Sequence, residues 1–249
     1  MEGLDRFHGA VRCVVSDVDD TITSRGRLLP AALEALCRLA SGGRDIILLT
    51  GGSAGWADVY IRWLPVKAVI AESGAVLLMK DEEGRVCYHM HPSLSDELRR
   101  RREDLLSSIG QGILSSDQYA RLNDIAIDLS LCPPDRLEEV KRLAAERGAN
   151  WAQSSIHLNI WFGDYDKARG LRDFCPLIGL EWKRLLDEGC YIGDSLPDEA
   201  LFAIFPISFG VASVLSKKEA FSHLPSFVAD GEGGEGFAEI ADAILKEDA

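Results

Sequence analysis

Apolar residues along this chain come in two rhythms. Short runs such as Val11 to Ser16, Asp45 to Thr50 and Val66 to Ala71 are apolar almost throughout, as strands buried on both faces are. Between them, apolar positions repeat at helical spacing: Leu33, Leu36, Cys37 and Ala40 form one stripe, stopped by Gly42 and Gly43, and Ser53 is placed to cap a second helix reaching Trp63. Strand, helix, strand, helix, strand predicts a parallel sheet. Past Gly74 the rhythm changes. Ala75 to Met79 and Arg85 to Met90 flank KDEEG as a hairpin, and a charged helix (Ser95 to Ser108) follows. Next come a strand alternating at Ile125, Ile127, Leu129 and Leu131, a helix opening on Pro133 and Pro134 with Leu137, Val140, Leu143 and Ala144 inward, and a second alternating strand, Gln153 to Trp161. From Lys167 the first rhythm resumes, with a helix to Leu177, a strand Cys190 to Ile192, a helix after Pro197, a strand near Pro206 to Gly210 and a last helix Glu235 to Leu245. The expected fold class is α/β: a Rossmann-like parallel-sheet core from residues 1–84 and 165–249, with a smaller α+β cap, residues 85–164, inserted into it.

Composition narrows the function classes. With 47% hydrophobic and 27% charged residues in 249, the chain reads as globular and not disordered. A net charge of −13 disfavours nucleic acid and anionic membrane as partners. No apolar run reaches bilayer length and Met1 to Ala10 lacks a signal-like apolar stretch, so a cytoplasmic location is expected. The six cysteines (Cys13, Cys37, Cys87, Cys132, Cys175, Cys190) are scattered without a C-x-x-C pair and read as reduced core thiols. RRRRED, Arg99 to Asp104, reads as a solvated helix face.

The strand ends carry the chemistry. VVSDVDDT runs an apolar strand straight into acid, and in open parallel sheets ligands bind beyond the carboxyl ends of the strands. Asp17 and Asp19, two apart on extended chain, project to one side about 7 Å apart. Charges that close need a cation or a shared proton, unless the cluster is a solvated turn or a helix cap. In LLTGG, Thr50 ends a strand and the amides of Gly51 and Gly52 are placed to face an anion. CYIGDSLPDEALF ends a strand in Asp194, and Ser195 and Asp198 have capping-box spacing. Lys167 opens a helix after Asp164 and Asp166. Each residue alone has a structural reading; together they converge on one mouth.

DVDDT, LLTGG, DKARG and GDSLPDEALF, in that order and with an insertion between the second and third, resemble the four motifs of the haloacid dehalogenase superfamily. More narrowly, the chain is similar to the phosphatases with a late-inserted cap, the group of sucrose-phosphate phosphatase, mannosyl-phosphoglycerate phosphatase and phosphomannomutase. The likeness covers most of Val11 to Met90 and Asp164 to Ile244. It implies that Asp17 is a nucleophile forming an aspartyl-phosphate, and that Asp19 is the acid and base of the two half-reactions. Magnesium would be held by Asp17, Asp19 through its backbone carbonyl, and Asp194, with Asp198 orienting the site; Thr50 and Lys167 would contact the phosphoryl oxygens. Three residues depart from the family pattern: Gly52 where relatives often have Arg, and Ser73 and Pro197 where they have Asn. In the cap, the face carrying Gln153, Ser155, His157, Asn159 and Trp161 is expected to roof the site, with His157 and Asn159 touching substrate. The implied activity is magnesium-dependent hydrolysis of a small phosphorylated metabolite, either a sugar phosphate or a phosphorylated short acid. A sugar phosphomutase and a phosphometabolite-binding regulator without turnover are the alternatives.

Overall fold

A strand that is apolar on both faces must be covered on both. In the computed structural model, which describes residues 1–246, helices do this on either side of one large sheet. Residues 247–249, the end of the expected core segment, lie outside the described residues. The chain begins with β1 (Glu2–Gly3) and β2 (Cys13–Ser16), a two-stranded ribbon of β3 (Thr23–Ser24) and β4 (Arg27–Leu28), and α1 (Pro30–Ser41). It continues through β5 (Asp45–Leu49), α2 (Ala54–Trp63), β6 (Ala68–Ala71) and the hairpin of β7 (Val76–Lys80) and β8 (Val86–Met90). The insertion contains α3 (Asp96–Ile109), β9 (Asp124–Asp128), α4 (Pro134–Glu146), β10 (Asn150–Gln153) and β11 (His157–Trp161). Then follow α5 (Lys167–Ile178), α6 (Trp182–Glu188), β12 (Gly189–Gly193), α7 (Glu199–Ile204), β13 (Ser208–Gly210), α8 (Ser213–Lys217), β14 (Phe227–Val228) and α9 (Gly233–Lys246).

Among the described residues the large sheet runs β1-β14-β13-β12-β2-β5-β6-β7-β8, parallel as far as β6 and antiparallel beyond it. β2 sits where the order turns, with β5 on one side and the much later β12 on the other, so its carboxyl end opens into the crevice where such sheets bind ligands. One face of the sheet packs Val14, Ile46, Leu48 and Ile192 against α1, α2 and α9, and the other packs Val15, Ile47, Leu49 and Tyr191 against α5, α6 and α7. The inserted sheet, β10-β11-β9, turns Leu158, Ile160, Ile125 and Ile127 toward α3 and α4, where Val140 and Ala144 are buried and Leu137 and Leu143 pack beside them. Its opposite face looks at the large sheet.

Several expectations shift. The α1 stripe has the expected period but another phase: Ala32, Ala35, Leu36 and Leu39 are buried, while Leu33 and Cys37 are exposed. Cys37 is therefore a surface thiol; all six cysteines are free. β8, which a boundary at residue 85 assigns to the cap, is hydrogen-bonded into the large sheet. The strand expected from Gln153 to Trp161 is a hairpin. Ser154 Oγ accepts from the N–H groups of Ile156 and His157 and turns the chain there, as a short hydroxyl side chain readily does. Likewise β9 ends at Asp128, whose carboxylate accepts from Ser130 N–H, and Leu131 beyond it is exposed. The arginine run divides as well: Arg101 donates to the Arg147 carbonyl and lies 4.6 Å from the Phe162 ring, and Arg102 donates to the carbonyls of Arg121 and Asp124.

One contact sets where α5 begins. A Cβ on Gly170 would lie 2.5 Å from the Gly74 Cα, so the two backbones meet directly, and the first turn of α5, with Lys167, is drawn against the end of β6. Gly170→Ala is expected to destabilise the fold by about 1–3 kcal/mol, the usual cost of overpacking. Urea unfolding checks this, and an unchanged midpoint would mean that α5 slides freely.

Candidate active site

Strand ends and helix starts bring the acidic residues together. Asp17 follows β2, Thr50 follows β5, Asp194 follows β12, and Lys167 opens α5 behind its cap Asp166, whose carboxylate accepts from Arg169 N–H. A cavity of about 40 Å³ is lined by Asp17, Asp19, Gly51, Lys167, Asp194 and, from the cap, His157 and Asn159. That is space for about three waters, or a phosphoryl group, and not for a whole metabolite. A wider groove of about 600 Å³ adjoins it through Ser155 and Pro197, with Lys141, Trp151 and Lys217 along its walls.

Lys167 is the hub of the buried charges. Its Nζ donates to Asp17 Oδ1 and to Asp198 Oδ1, both at 2.7 Å, and all three side chains are buried. Burial works to lower the Lys167 pKa, but the carboxylates of Asp17 and Asp198 hold it above the ordinary lysine value. Asp198 is fully engaged: Oδ1 also accepts from the Tyr191 hydroxyl at 2.5 Å, and Oδ2 accepts from the N–H groups of Asp194 and Ser195 and from Ser195 Oγ. The capping box read from Ser195 and Asp198 is present, and Pro197 occupies the first turn, where its missing N–H costs nothing. Burial would raise Asp198, yet Lys167 and Tyr191 hold it below the usual carboxylate range. With its oxygens occupied by five donors, Asp198 orients the site and has the least capacity left for a metal.

One ammonium does not balance the remaining acids. Burial pushes Asp17 well above its ordinary value against the pull of Lys167, and the charges of Asp198, Asp194 and Asp19 push the same way. Asp194 is pushed up to about 6 by burial and Asp198, and Lys217, 3.3 Å from its Oδ2, offsets part of this. Oxygens of Asp17, Asp194 and Asp198 lie within 4.8 Å of one another. An all-carboxylate set of this spacing and excess charge fits a hard divalent cation such as magnesium. Asp19 also lines the cavity; burial raises its carboxyl, and the nearby His157 and Lys167 moderate the rise.

Other expected residues take different positions. Thr50 Oγ1 donates to Asp19 Oδ2 at 3.4 Å, and the Gly52 N–H, expected to face an anion, is spent on Thr50 Oγ1 at 2.8 Å, while Gly51 lines the cavity. Ser73 is buried against the cavity in the left-handed backbone region (φ 58), a conformation in which Asn is enriched. The cap face divides. His157 and Asn159 do line the cavity, with His157 Nε2 bonded to Ser115 Oγ, but Trp161 stacks on Tyr165 away from it and Gln153 lines the outer groove. Ser154 and Ile156, assigned by alternation to the opposite face, reach the cavity because the hairpin turns there. Lys217, Tyr191 and Glu72 were not singled out in the sequence. Tyr191 lies inside an apolar strand, and its hydroxyl was the only signal; Lys217 and Glu72 carried none.

No protein-family model matches the chain. Over 242 residues it is 26% identical to a phosphoglycolate phosphatase of Pyrobaculum aerophilum, covering 95% of this chain and 96% of that one. Its fold superposes on a haloacid dehalogenase-like hydrolase from Bacteroides thetaiotaomicron with a TM-score of 0.71 at 16% identity, covering 94% and 99% of the two chains. The sucrose-phosphatase of Synechocystis, solved with sucrose and phosphate, gives a TM-score of 0.66 at 17% identity, covering 96% and 99%. The chain is thus similar from end to end in sequence to a phosphoglycolate phosphatase and shares its fold with haloacid dehalogenase-like hydrolases, and its four motifs meet in one cavity.

Proposed function

We propose that the chain hydrolyses the phosphate monoester of a short organic acid through a covalent phosphoenzyme on Asp17. The observation that carries this reading is the buried Lys167 ammonium bridging Asp17 and Asp198 at the floor of a phosphoryl-sized cavity. Asp17 presents one carboxylate oxygen to Lys167 and the other to the Thr21 hydroxyl at 3.3 Å, which fixes the carboxylate for attack on phosphorus. Lys167 stabilises negative charge as the phosphoryl group moves. Asp19, its carboxyl raised by burial, is suited to give a proton to the departing oxygen and afterwards to take one from the attacking water. Asp17 and Asp194 would hold magnesium, which when bound neutralises phosphoryl oxygens and the excess carboxylate charge. Asp198 and Tyr191 keep Lys167 in place.

The rest of the substrate would lie in the adjoining groove. In a chain of net charge −13, two ammonium groups line that groove, Lys141, paired with Glu138 at 2.8 Å, and Lys217, 3.3 Å from Asp194, and their spare donors favour an anionic leaving group over a neutral sugar. The name of the Pyrobaculum relative points the same way. A sugar phosphate is the second reading, favoured by the exposed Trp151 ring, although the Lys141 ammonium already covers that ring at 5.1 Å.

Three outcomes test this reading. Phosphate release from a small aryl phosphate should require magnesium, stop on chelation, and vanish in Asp17→Asn with circular dichroism unchanged; a fully active Asp17→Asn enzyme would remove the covalent route. Asp19→Asn should slow alkyl phosphate turnover by roughly a hundredfold or more, and aryl phosphate turnover less, because a good leaving group needs less protonation. Equal losses on both would contradict its acid role. Lys141→Met should raise KM for a phosphorylated short acid about two- to fivefold, the scale of a partly screened charge contact, while leaving neutral sugar phosphates little changed. A uniform effect across both classes would count against the anionic subsite.

A further inference from the structure

The cap grips the loop after β5 from two directions, and both contacts end on one atom. Arg121 Nη1 donates to the Gly51 carbonyl at 3.0 Å, and Asn159 Nδ2 donates to the same oxygen at 2.9 Å. The other end of that peptide unit is the Gly52 N–H, which donates to Thr50 Oγ1, and Thr50 Oγ1 donates in turn to Asp19 Oδ2. A peptide unit is planar, so holding its oxygen and its N–H fixes its orientation. Two adjacent glycines have no side chains with which to fix it locally, so the restraint must come from elsewhere.

The donors are themselves anchored. Arg121 is buried between Asp124 and Asp117, and Asn159 Nδ2 also donates to Asp124 Oδ2 at 2.8 Å. The segment carrying these groups is pinned by a residue of the core. Glu72 Oε1 accepts from the N–H groups of Ala54 and Leu122 at 3.0 and 2.8 Å, and Oε2 accepts from those of Asn123 and Asp124 at 2.7 and 3.3 Å. One buried carboxylate thus joins the first residue of α2, directly after the Gly51-Gly52 loop, to three successive cap amides. Glu72 does this from the left-handed backbone region (φ 52), a conformation costing of order 1–3 kcal/mol that persists where the surroundings over-determine it.

We infer that Asn159, Arg121 and Glu72 are positioning residues that, with the cap seated, lock the Gly51-Gly52 peptide and through it the Thr50 hydroxyl against Asp19. The acid/base group then takes its working position only when the cap is docked. This rests on the phosphatase reading, and Asn159 acts through Gly51 from the cavity wall, not on the leaving group.

Asn159→Ala tests it with a small aryl phosphate, whose uncharged leaving group makes no use of the outer groove. We expect kcat to fall roughly tenfold, the scale of a lost hydrogen bond, with KM nearly unchanged. The loss should disappear in a Thr50→Val background, where the next atom of the relay is missing. Hydrogen exchange should quicken in residues 50–56 and 118–126 together. Glu72→Gln keeps the side-chain shape, loses acceptor sites and carries the same tests should Asn159→Ala fail to fold. A lowered Tm with unchanged kcat per folded molecule, an effect confined to the metabolite, additive losses with Thr50→Val, or exchange that quickens only in residues 118–126 would each overturn the proposal. If the unmodified enzyme released no phosphate from any ester, the phosphatase reading would fail, and the exchange measurement would still decide whether cap and loop are coupled.

Discussion

Three carboxylates line one cavity and a fourth, Asp198, lies behind it, and only buried positive charge makes that arrangement tenable. Lys167 supplies the buried part of it, with Lys217 at the rim beside Asp194, and the surrounding architecture brings the Lys167 ammonium to the one point where it reaches both Asp17 and Asp198. The glycine contact between α5 and the end of β6 sets its distance from the sheet, and the turn after β12 delivers Asp198 from below. Leaving a buried carboxylate without its partner costs about 3–5 kcal/mol. Lys167 is therefore a structural member of the core as well as a reactive group, and Tyr191 binds it indirectly into the aromatic packing of Phe202 and Phe205.

The cap is seated on the same physical terms. Its apolar contact with the core is small, chiefly Trp161 and Tyr165 against Ala75, and most of the junction is polar and buried. Such a junction is sensitive to direction. Apolar surfaces tolerate sliding, whereas the Arg121, Asp124 and Glu72 network is satisfied in one arrangement and leaves buried charges unpaired in others. Geometry at the cavity is thus governed from a distance by hydrogen bonds that never touch the reacting atoms.

How much of this was legible in the residues depended on range. The apolar runs of β2, β5 and β6 announced themselves because strands buried on both faces leave no ambiguity, and the acids, threonine and lysine at the element ends followed from where such strands terminate. The α1 stripe was misphased because Ala, Leu and Cys are all apolar enough to serve as the inner face; only packing against α9 selects among them. The hairpin at Ser154 was missed because serine continues a polar alternation as well as it breaks one. Glu72, Arg121 and Lys217 reach partners that lie far off in the chain or on main-chain atoms, and neither kind of pairing leaves a periodic trace; Tyr191 bonds to Asp198 seven residues on, a spacing hidden by the turn between them. The Gly52 N–H, expected to face an anion, meets a hydroxyl two residues away, a local pairing that the glycines themselves do not announce.

The bonds from Glu72 to the cap carry a consequence of a different kind. Three of the four groups it accepts from are main-chain amides of the cap, and an amide hydrogen is the same whatever side chain follows it. A core that recognises its lid by backbone does not read the lid's sequence at those points. It works as a socket, into which evolution can fit lids of altered sequence and altered substrate range without rebuilding the chemistry beneath them.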